Sequence, residues 1–453
     1  MKAMNQEEKR IYMTQTPVPR LITTLAVPTI ISMLVSAFYN MVDTFFVGKI
    51  DTQSTAAVGI AFSLMAIIQA IGFLFGHGSG NYIARRLGNG EVEDAANMAS
   101  TGFFFAIVCG IVIMIVGIIF VEPLAYLLGS TETILPYAVK FLRLLLIGAP
   151  FMTGAFTLNN HLRFQGSASY GMIGVVSGAL LNIALDPIFI FALGMGVEGA
   201  ALATSISQMV SLFMLIICSR LSRGIGFKFS RIKISWYYFA EILKGGFPSL
   251  CRQGLASIAT MLLNHAAGAY GDAAIAGMSI VTRIVMFANS ALIGFGQGFQ
   301  PVCGFNYGAK LYSRVQEGFK FCVKYSAAFL VIVSTVMWIF APQLAAIFRK
   351  DDAVIDVATK ALRYQLVLFP LSSVIVMGNM MMQAIGKAVR ASIVAAARQG
   401  LFFIPLILIL PRILGLQGVE MCQMLSDLCS FLLTLPLAIS VLNEMKREQM
   451  ISA

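Results

Sequence analysis

Residues 21–47 read LITTLAVPTIISMLVSAFYNMVDTFFV, an apolar stretch that is long enough to cross a lipid bilayer. A helix needs about 20 apolar residues to span the hydrocarbon layer. The stretch contains one carboxylate, Asp43, and one proline, Pro28. An aspartate at the centre of a membrane helix costs roughly 2.5–3.5 kcal/mol on insertion scales, so such a residue is retained mainly where it has a function. The alternative is that Asp43 lies near the helix end and reaches interfacial water, because Lys49 follows it closely.

The composition of the whole chain indicates a membrane protein. Of 453 residues, 58% are hydrophobic and 12% are charged, and the mean hydropathy is +0.83. Soluble domains contain about 25% charged residues, so this chain cannot cover a water-facing surface. Residues 1–16 are polar and residues 21–47 are too long for the apolar core of a signal peptide, so we expect no cleaved signal. The seven cysteines form no CxxC pair and predict neither a disulfide framework nor a metal site.

The apolar runs predict an all-α polytopic membrane protein with twelve transmembrane helices. The runs centre near residues 34, 65, 108, 146, 180, 208, 257, 285, 330, 368, 402 and 430. Eighteen Lys and Arg residues belong to one set of alternating loops and tails, and four belong to the opposite loops. The eighteen are Lys2, Lys9, Arg10, Arg20, Arg85, Arg86, Arg163, Arg220, Arg223, Lys228, Arg231, Lys233, Lys310, Arg314, Lys387, Arg390, Lys446 and Arg447. Because cytoplasmic loops are enriched in Lys and Arg, both termini are predicted to be cytoplasmic. This topology also accounts for the net charge of +11 without a nucleic-acid partner.

The longest linker, residues 219–237, divides the chain into two halves of six spans each, residues 1–218 and 238–453. Motifs repeat between the halves at offsets of 218–220 residues. The matched pairs are GHGSG (76–80) and GFGQG (294–298), KFLRLLLIGAP (140–150) and KALRYQLVLFP (360–370), and GVEGAA (196–201) and GLQGVE (415–420). Since an even number of spans inserts both halves the same way up, we expect two parallel-repeat six-helix bundles around a central cleft.

A group of polar residues in the first half reaches a common depth in the membrane. In span five, GALLNIALDPIFIF, Asn182 and Asp186 are four residues apart and lie on one helix face. Asp43 on span one and Thr204 on span six lie at a similar depth, roughly 8–12 Å below the outer boundary at 1.5 Å per residue. Two carboxylates in a low dielectric cannot easily both ionise, so such a site binds H⁺ or, with oxygen ligands, Na⁺. The alternative is a buried polar network that only fixes the helices.

Other motifs exclude some classes of protein. No phosphate-binding loop of the form GxxxxGK[ST] occurs, so we do not expect the chain to hydrolyse ATP. The glycines of GHGSG are interpreted as points where helices approach closely. The three histidines, His77, His161 and His265, fall on different spans and indicate neither a metal site nor an enzyme active site.

Over its whole length the chain resembles the multidrug and toxic compound extrusion (MATE) family, and within it the bacterial DinF/MepA-like branch. LDPIF followed by GVEGAALAT is the most specific feature. The stretches that carry the resemblance are PTIISMLVSAFYNMVDTFFVG (28–48), ARRLGNG (84–90), LNIALDPIFIFALGMGVEGAALATSISQ (181–208) and RQGLFFIPL (398–406). The resemblance implies export of bulky organic cations, driven by H⁺ or Na⁺, through a V-shaped cleft between two lobes.

The resemblance also implies roles for individual residues. Pro28 is expected to bend span one. The implied ion site of the first lobe consists of Asp43, Asn182, Asp186 and Thr204, with Tyr39 and Asn159 nearby. Relatives in this branch carry a glutamate at the position of Asn159, so one substrate-facing acid is missing, and the acids that another branch uses for Na⁺ in the second lobe are also absent.

Two arginines within the spans have alternative interpretations. Arg283 in span eight and Arg398 in span eleven either steer substrate or pair with Asp427, or they pack against the helices and extend toward the interface.

We therefore predict a secondary active multidrug efflux antiporter that exports organic, cationic compounds in exchange for H⁺ or Na⁺ by alternating access. It is expected to be a multi-pass monomer of the bacterial cytoplasmic membrane that uses no cofactor and no metal beyond Na⁺, and its partners are drugs and the lipid bilayer. A lipid-linked saccharide flippase is one alternative, although such proteins tend to line the cleft with several cations. A polytopic membrane enzyme is the other, and it would need a nucleophile or metal cluster at one interface.

The distribution of basic residues predicts the topology. A reporter domain fused after Lys233 should remain in the cytoplasm, and a reporter inserted at residues 349–352 should be exported, because cationic loops are retained inside. Activity of an alkaline phosphatase reporter, which requires export, measures both positions. The reverse pattern would overturn the orientation and the depths derived from it.

Overall fold

The computed structural model of the chain describes residues 4–50 and 52–452, and the regular secondary structure of these residues is helical throughout. The helices are α1 (Gln6–Gln15), α2 (Val18–Val47), α3 (Thr52–Gly88), α4 (Val92–Ile119), α5 (Val121–Leu127), α6 (Leu135–Phe164), α7 (Ala168–Pro187), α8 (Gly196–Leu221), α9 (Trp236–Gly268), α10 (Asp272–Gly308), α11 (Tyr312–Ile339), α12 (Ala341–Phe348), α13 (Asp352–Leu368), α14 (Ser372–Ala384), α15 (Ala388–Ala396), α16 (Phe403–Leu414) and α17 (Leu416–Ser452). Four short segments complete the chain: π-helical Ile188–Ala192 and Ala397–Leu401, and 3₁₀-helical Phe229–Arg231 and Phe369–Leu371.

Eleven segments of the described residues are long and apolar enough to cross a membrane. The predicted seventh span lies in α9, which is 33 residues long and is not one of these eleven. It contains Glu241, Lys244 and Arg252, which lower its hydropathy. The prediction of an all-α polytopic membrane protein is confirmed.

Local sequence accounts for where several helices begin. At α1, Asn5 Oδ1 accepts from the Glu8 backbone N–H and the Glu8 carboxylate accepts from the Asn5 N–H, both at 2.8 Å. At α13, Asp351 Oδ1 accepts from the N–H groups of Ala353 and Val354 at 3.0 and 3.3 Å. Such caps satisfy helix N–H groups that have no partner within the helix, and each contributes about 1 kcal/mol.

Corresponding helices of the two halves have matching lengths. Helices α3 and α10 each contain 37 residues, and α4 and α11 each contain 28. The short helices α5 and α12 follow at corresponding points. The sequence analysis did not predict them, because a few apolar residues directly after a span look like its continuation. The halves also differ. Helix α6 continues through Pro150, whereas the second half is divided at Phe369–Leu371 into α13 and α14. Helix α7 has 20 residues before its π-helical segment, whereas α15 has nine.

The two halves contact each other near the end of the molecule that carries α1, which we call the closed end. There α3 packs against α9 and α10, and α2 packs against α10. Gly246 of α9 lies so close to α3 that a Cβ atom would be 1.9 Å from the Leu74 carbonyl oxygen. Gly78 of the GHGSG motif packs equally closely: a Cβ atom placed there would be 2.1 Å from the Ile242 carbonyl oxygen. The interpretation of this motif as a site of close helix packing is confirmed.

Buried polar side chains also join the halves at the closed end. His77 Nδ1 lies 3.0 Å from Ser249 Oγ, and Gln383 Nε2 donates to the same hydroxyl at 2.8 Å. Arg163 was counted among the loop cations, and this placement is wrong: it lies within α6 and is 2% exposed. Its Nη2 donates to Asn160 Oδ1 at 2.5 Å. Without Arg163 the excess of cations on the predicted cytoplasmic side is almost unchanged.

Helix α1 contacts both halves at the closed end. Lys9 Nζ donates to Ser167 Oγ at 2.9 Å, in the turn between α6 and α7. In the second half, Asn306 Nδ2 donates to the Met13 carbonyl oxygen at 3.2 Å. Burial lowers the pKa of Lys9 from 10.5 to about 8, so attachment of α1 should strengthen as the pH rises through that interval.

The close approach of α3 and α9 predicts the effect of a small substitution. Gly246→Ala would force the Leu74 backbone away, and overpacking of this kind costs about 1–3 kcal/mol. We expect a lower melting temperature for the purified protein in detergent, measured in a thermal scan. Gly254→Ala, on the same helix, is the matched control, because a Cβ there meets no atom within 4 Å. Equal melting temperatures for the two variants would contradict the close contact.

Candidate functional site

The four polar residues singled out in the first half lie together where α2, α7 and α8 pack. Asp43 comes from the last turns of α2, Asn182 and Asp186 share one face of α7, and Thr204 comes from α8. All four side chains are buried, and Asp186 is 0% exposed. The structure therefore places at one point the residues that the sequence analysis placed at one depth. We call them the acidic cluster.

Asn182 and the two carboxyl groups connect the acidic cluster. Asn182 Nδ2 donates to Asp186 Oδ1 and to Thr204 Oγ1, at 3.5 Å in both cases. The carboxyl groups of Asp43 and Asp186 lie close enough to interact directly. Two ionised carboxylates this close would repel each other in a low dielectric. The cluster is therefore suited to hold a proton or another cation at the two groups.

Three buried oxygen atoms of the acidic cluster have no hydrogen-bond partner in the described structure: Asp43 Oδ1, Asn182 Oδ1 and Asp186 Oδ2. A buried acceptor without a partner costs about 1–3 kcal/mol. Carboxylate and amide oxygens are the ligands that hard cations prefer. The donor set thus fits a proton, which would give a carboxyl group a donor of its own, or a Na⁺ ion held by the three oxygens.

Irregular backbone borders the cluster. Pro187 follows Asp186 directly, and the chain then changes from an α-helix to the π-helical segment Ile188–Ala192. Such segments are frequent at functional sites. Helix α2 runs unbroken through Pro28, where the missing N–H removes one helix hydrogen bond. Next to it, Thr29 Oγ1 donates to the Gly294 carbonyl oxygen of α10 at 2.6 Å. Helix α2 therefore connects the acidic cluster to the second half.

A cavity of about 340 Å³ lies beside the acidic cluster. Tyr39, Asn182 and Thr204 form part of its wall, so the cluster and the cavity share residues. The other polar residues of the wall are Ser36, Asn40, Gln69, Ser207, Gln208 and Ser211, and its methionine and phenylalanine residues are Met33, Phe62, Met65, Met152, Phe156 and Met286. Flexible methionines and aromatic rings adapt to ligands of different shape.

The remaining predicted residues lie outside the acidic cluster. Asn159 is half-buried, and its side chain lies against Gly171 of α7. Gly171 is three helical turns from Asn182 along the same helix. The expected neighbourhood of Asn159 and the cluster is therefore absent. Arg283 is exposed on α10. Arg398 pairs with Asp427: Nε donates to Oδ1 at 2.7 Å and Nη2 to Oδ2 at 3.2 Å.

A bundle of long apolar helices that encloses a cavity beside buried carboxylates defines a polytopic membrane transporter. The chain belongs to the MatE family, whose family model matches it twice, at residues 28–188 and 248–409. The starts of the two matches are 220 residues apart, which agrees with the offset of the repeated motifs.

Curated relatives and solved structures agree with this assignment. The multidrug export protein MepA of Staphylococcus saprophyticus is 28% identical over 424 residues, covering 93% of this chain and 94% of that protein. MepA of Staphylococcus aureus is 27% identical over 428 residues, covering 94% of each. The structure of a multidrug resistance MATE family transporter in an outward-facing conformation has a TM-score of 0.91 at 27% identity, covering 96% of this chain and 98% of that one. A MOP superfamily transporter from Pyrococcus furiosus has a TM-score of 0.90 with the same identity and coverage.

The sequence analysis missed most of the polar residues around the cavities. Gln69 and Gln208 are single amides in apolar helices, and nothing in their spacing distinguishes them from residues that face lipid headgroups. Asn182 and Asp186 were found because their separation of four residues places both on one helix face. Residues that contribute singly from different helices give no such signal.

The proximity of the two buried carboxyl groups predicts how their variants behave. Asp43→Asn and Asp186→Asn should each abolish the rise in melting temperature that a bound ion gives, because asparagine keeps the size of aspartate but cannot bind a proton or neutralise Na⁺. A ligand of the folded state raises its stability, so the wild-type melting temperature should rise on addition of Na⁺ or at lower pH. The double variant should lose hardly more than either single one, since the pair acts as a unit.

The control is Asp356→Asn, which removes an exposed carboxylate bound to Lys360 at 2.6 Å and should retain the ion-dependent rise. A full rise in both Asp43→Asn and Asp186→Asn would show that the two acids are structural.

Proposed function

We propose that the chain is a secondary active exporter that exchanges H⁺ or Na⁺ for organic compounds. The observation that carries this proposal is the acidic cluster: two carboxyl groups buried against each other, with three acceptor oxygens that have no partner, beside a cavity that Asn182 and Thr204 line. The names of the MepA relatives, which are multidrug export proteins, support drugs as the exported compounds. They also favour a transporter over the flippase and the membrane enzyme considered above.

The proposed mechanism couples the charge of the acidic cluster to the position of α2. When the ion leaves, Asp43 and Asp186 carry more negative charge in a low dielectric, and their repulsion favours a different packing of α2 against α7. Pro28 directly precedes Thr29, which makes the contact with Gly294, and one helix hydrogen bond is already missing at this point. A bend there would transmit the change to the second half. Bending of α2 at Pro28 is accordingly part of the proposal.

Alternating access is proposed to move two lobes, residues 1–218 and 238–453, joined by the basic linker 219–237 and related by an axis along the membrane normal. The contacts between the lobes support this division, because they are formed mainly by α2 and α3 of one lobe and α9 and α10 of the other. In the proposed orientation the closed end is cytoplasmic, both termini are inside, and the protein is a monomer of the bacterial cytoplasmic membrane. It needs no cofactor beyond the coupling ion.

The cavity beside the acidic cluster is the proposed binding site for the basic part of the exported compound. Its methionines and aromatic side chains would contact apolar rings, and Asp43 and Asp186 would attract a positive charge. Since the same carboxyl groups bind the ion, ion and compound would compete for their negative charge. Such competition is sufficient for exchange, because each ligand lowers the affinity for the other.

Purified protein in ATP-free proteoliposomes tests this function. Export of the cationic dye ethidium should follow an imposed pH or Na⁺ gradient and should stop when the gradient is dissipated. Asp186→Asn should reduce gradient-driven export to the level of empty vesicles, and Asp356→Asn should not reduce it. Transport that persists without any ion gradient and depends on added ATP would refute an antiporter.

A further inference from the structure

The second half of the molecule contains its own cavity, in two adjoining chambers of about 390 and 130 Å³. Gln253 and Ala256 of α9, Asn289 of α10, and Arg398 and Gln399 of the π-helical segment line both chambers. We call the two chambers together the basic cavity. The family match and the ion-site prediction assign no role to it.

The basic cavity corresponds to the cavity of the first half. At the offset of 219 residues that relates GVEGAA to GLQGVE, Val175, Ala179 and Thr204 correspond to Val394, Arg398 and Gln423. The first three residues line the cavity beside the acidic cluster, and the second three line the basic cavity. The duplicated halves therefore enclose duplicated cavities. At one corresponding position, the first half has alanine and the second half has arginine.

The charges around the two cavities are opposite. Among the described residues that line the basic cavity there are two arginines, Arg252 and Arg398, and no carboxylate. Asp427, which does not line the cavity, neutralises Arg398. It is 0% exposed and accepts two hydrogen bonds from the guanidinium. The net positive charge of this cavity therefore comes from Arg252.

Arg252 is held in place by neutral groups. Its Nη1 donates to Asn379 Oδ1 at 3.2 Å. The orientation of Asn379 is fixed in turn, because its Nδ2 donates to the Ala391 carbonyl oxygen of α15 at 2.7 Å. A guanidinium has five N–H donors in a planar fork that matches a carboxylate. Arg252 is half-buried. A charge that is partly removed from water without a counter-ion is costly, so a carboxylate in the cavity would relieve part of that cost.

The two cavities adjoin each other. Ala66 of α3 and Met286 of α10 line both the cavity beside the acidic cluster and the larger chamber of the basic cavity. Between them, Gln253 Nε2 donates to Gln69 Oε1 at 3.4 Å, which links one wall to the other. A single extended molecule could thus reach the acidic cluster with one end and Arg252 with the other.

We propose that the basic cavity is a subsite for the carboxylate of the exported compound, and that Arg252 binds it. This inference rests on the proposed export function and adds to it a residue that distinguishes compounds with a free carboxylate from compounds without one. Each half has a π-helical segment that interrupts an α-helix next to a charged group. One contains Arg398, and the other is Ile188–Ala192 beside the acidic cluster.

Two dyes that differ only at one carboxyl group test this subsite. Rhodamine 110 has a free benzoate, and rhodamine 123 is its methyl ester, so only rhodamine 110 can bind Arg252 through a carboxylate. Fluorescence polarisation with the purified full chain gives the ratio of the two affinities. Wild-type protein should prefer rhodamine 110, and Arg252→Gln should reduce that preference by about tenfold, the effect of losing one charged hydrogen bond. Arg252→Lys should retain part of the preference.

Further variants keep the test decisive. Asn379→Asp places a carboxylate beside Arg252 and should remove the preference even if Arg252→Gln does not fold. Arg412→Gln removes an exposed arginine of the same half and is the matched control, with the wild-type ratio expected. An unchanged ratio in folded Arg252→Gln and Asn379→Asp, or a wild-type preference for the ester, would overturn the subsite. Normal binding ratios without gradient-driven export of either dye would instead refute the proposed export function and leave the subsite standing.

Discussion

Asp43 and Asp186 are buried next to each other inside the first half of the molecule. If both carboxyl groups were ionised, two like charges would face each other in a low dielectric, which is costly. A bound cation would remove that cost, and it would also give partners to the three acceptor oxygens of the cluster that lack one. Because the carboxyl groups come from α2 and α7, we propose that the packing of these two helices depends on what the cluster binds.

The closed end shows the opposite physical character. There the halves meet through backbone contacts at Gly78 and Gly246 and through neutral hydrogen bonds such as that between Gln383 and Ser249. Such contacts are specific in shape and carry no charge. Cations also contribute at this end: Arg85 Nη1 donates across the halves to the Ala384 carbonyl oxygen at 2.9 Å, and Arg163 is a buried cation whose described partners are neutral side chains. Exposure of Arg163 to water when the halves separate would offset part of the cost of breaking the other contacts.

Duplication gives this fold two equivalent cavities, and substitution has given them different charges. Where the first half has Ala179, the second has Arg398, and Asp427 neutralises that arginine from outside the cavity. Arg252 then provides the positive charge, with Asn379 holding it toward the cavity. In the proposed arrangement, one half would bind the ion and attract the basic part of the exported compound. The other half would interact with the remainder of the compound, and it contains no carboxylate among the described residues of the cavity wall.

The sequence alone determined the class of fold, because apolar length and the excess of loop cations follow directly from the thickness and asymmetry of the bilayer. It also identified Asn182 and Asp186, whose spacing fixes their common helix face, and it related the halves through repeated motifs. It did not place Asn159, which lies three turns from Asn182, or Arg163, which is buried rather than in a loop. Nor did it reveal the walls of the two cavities. These depend on which helices are neighbours and how each is rotated, and a helix of mostly apolar residues carries little information about its own rotation. Only packing between distant segments, such as Gly246 against Leu74, decides it.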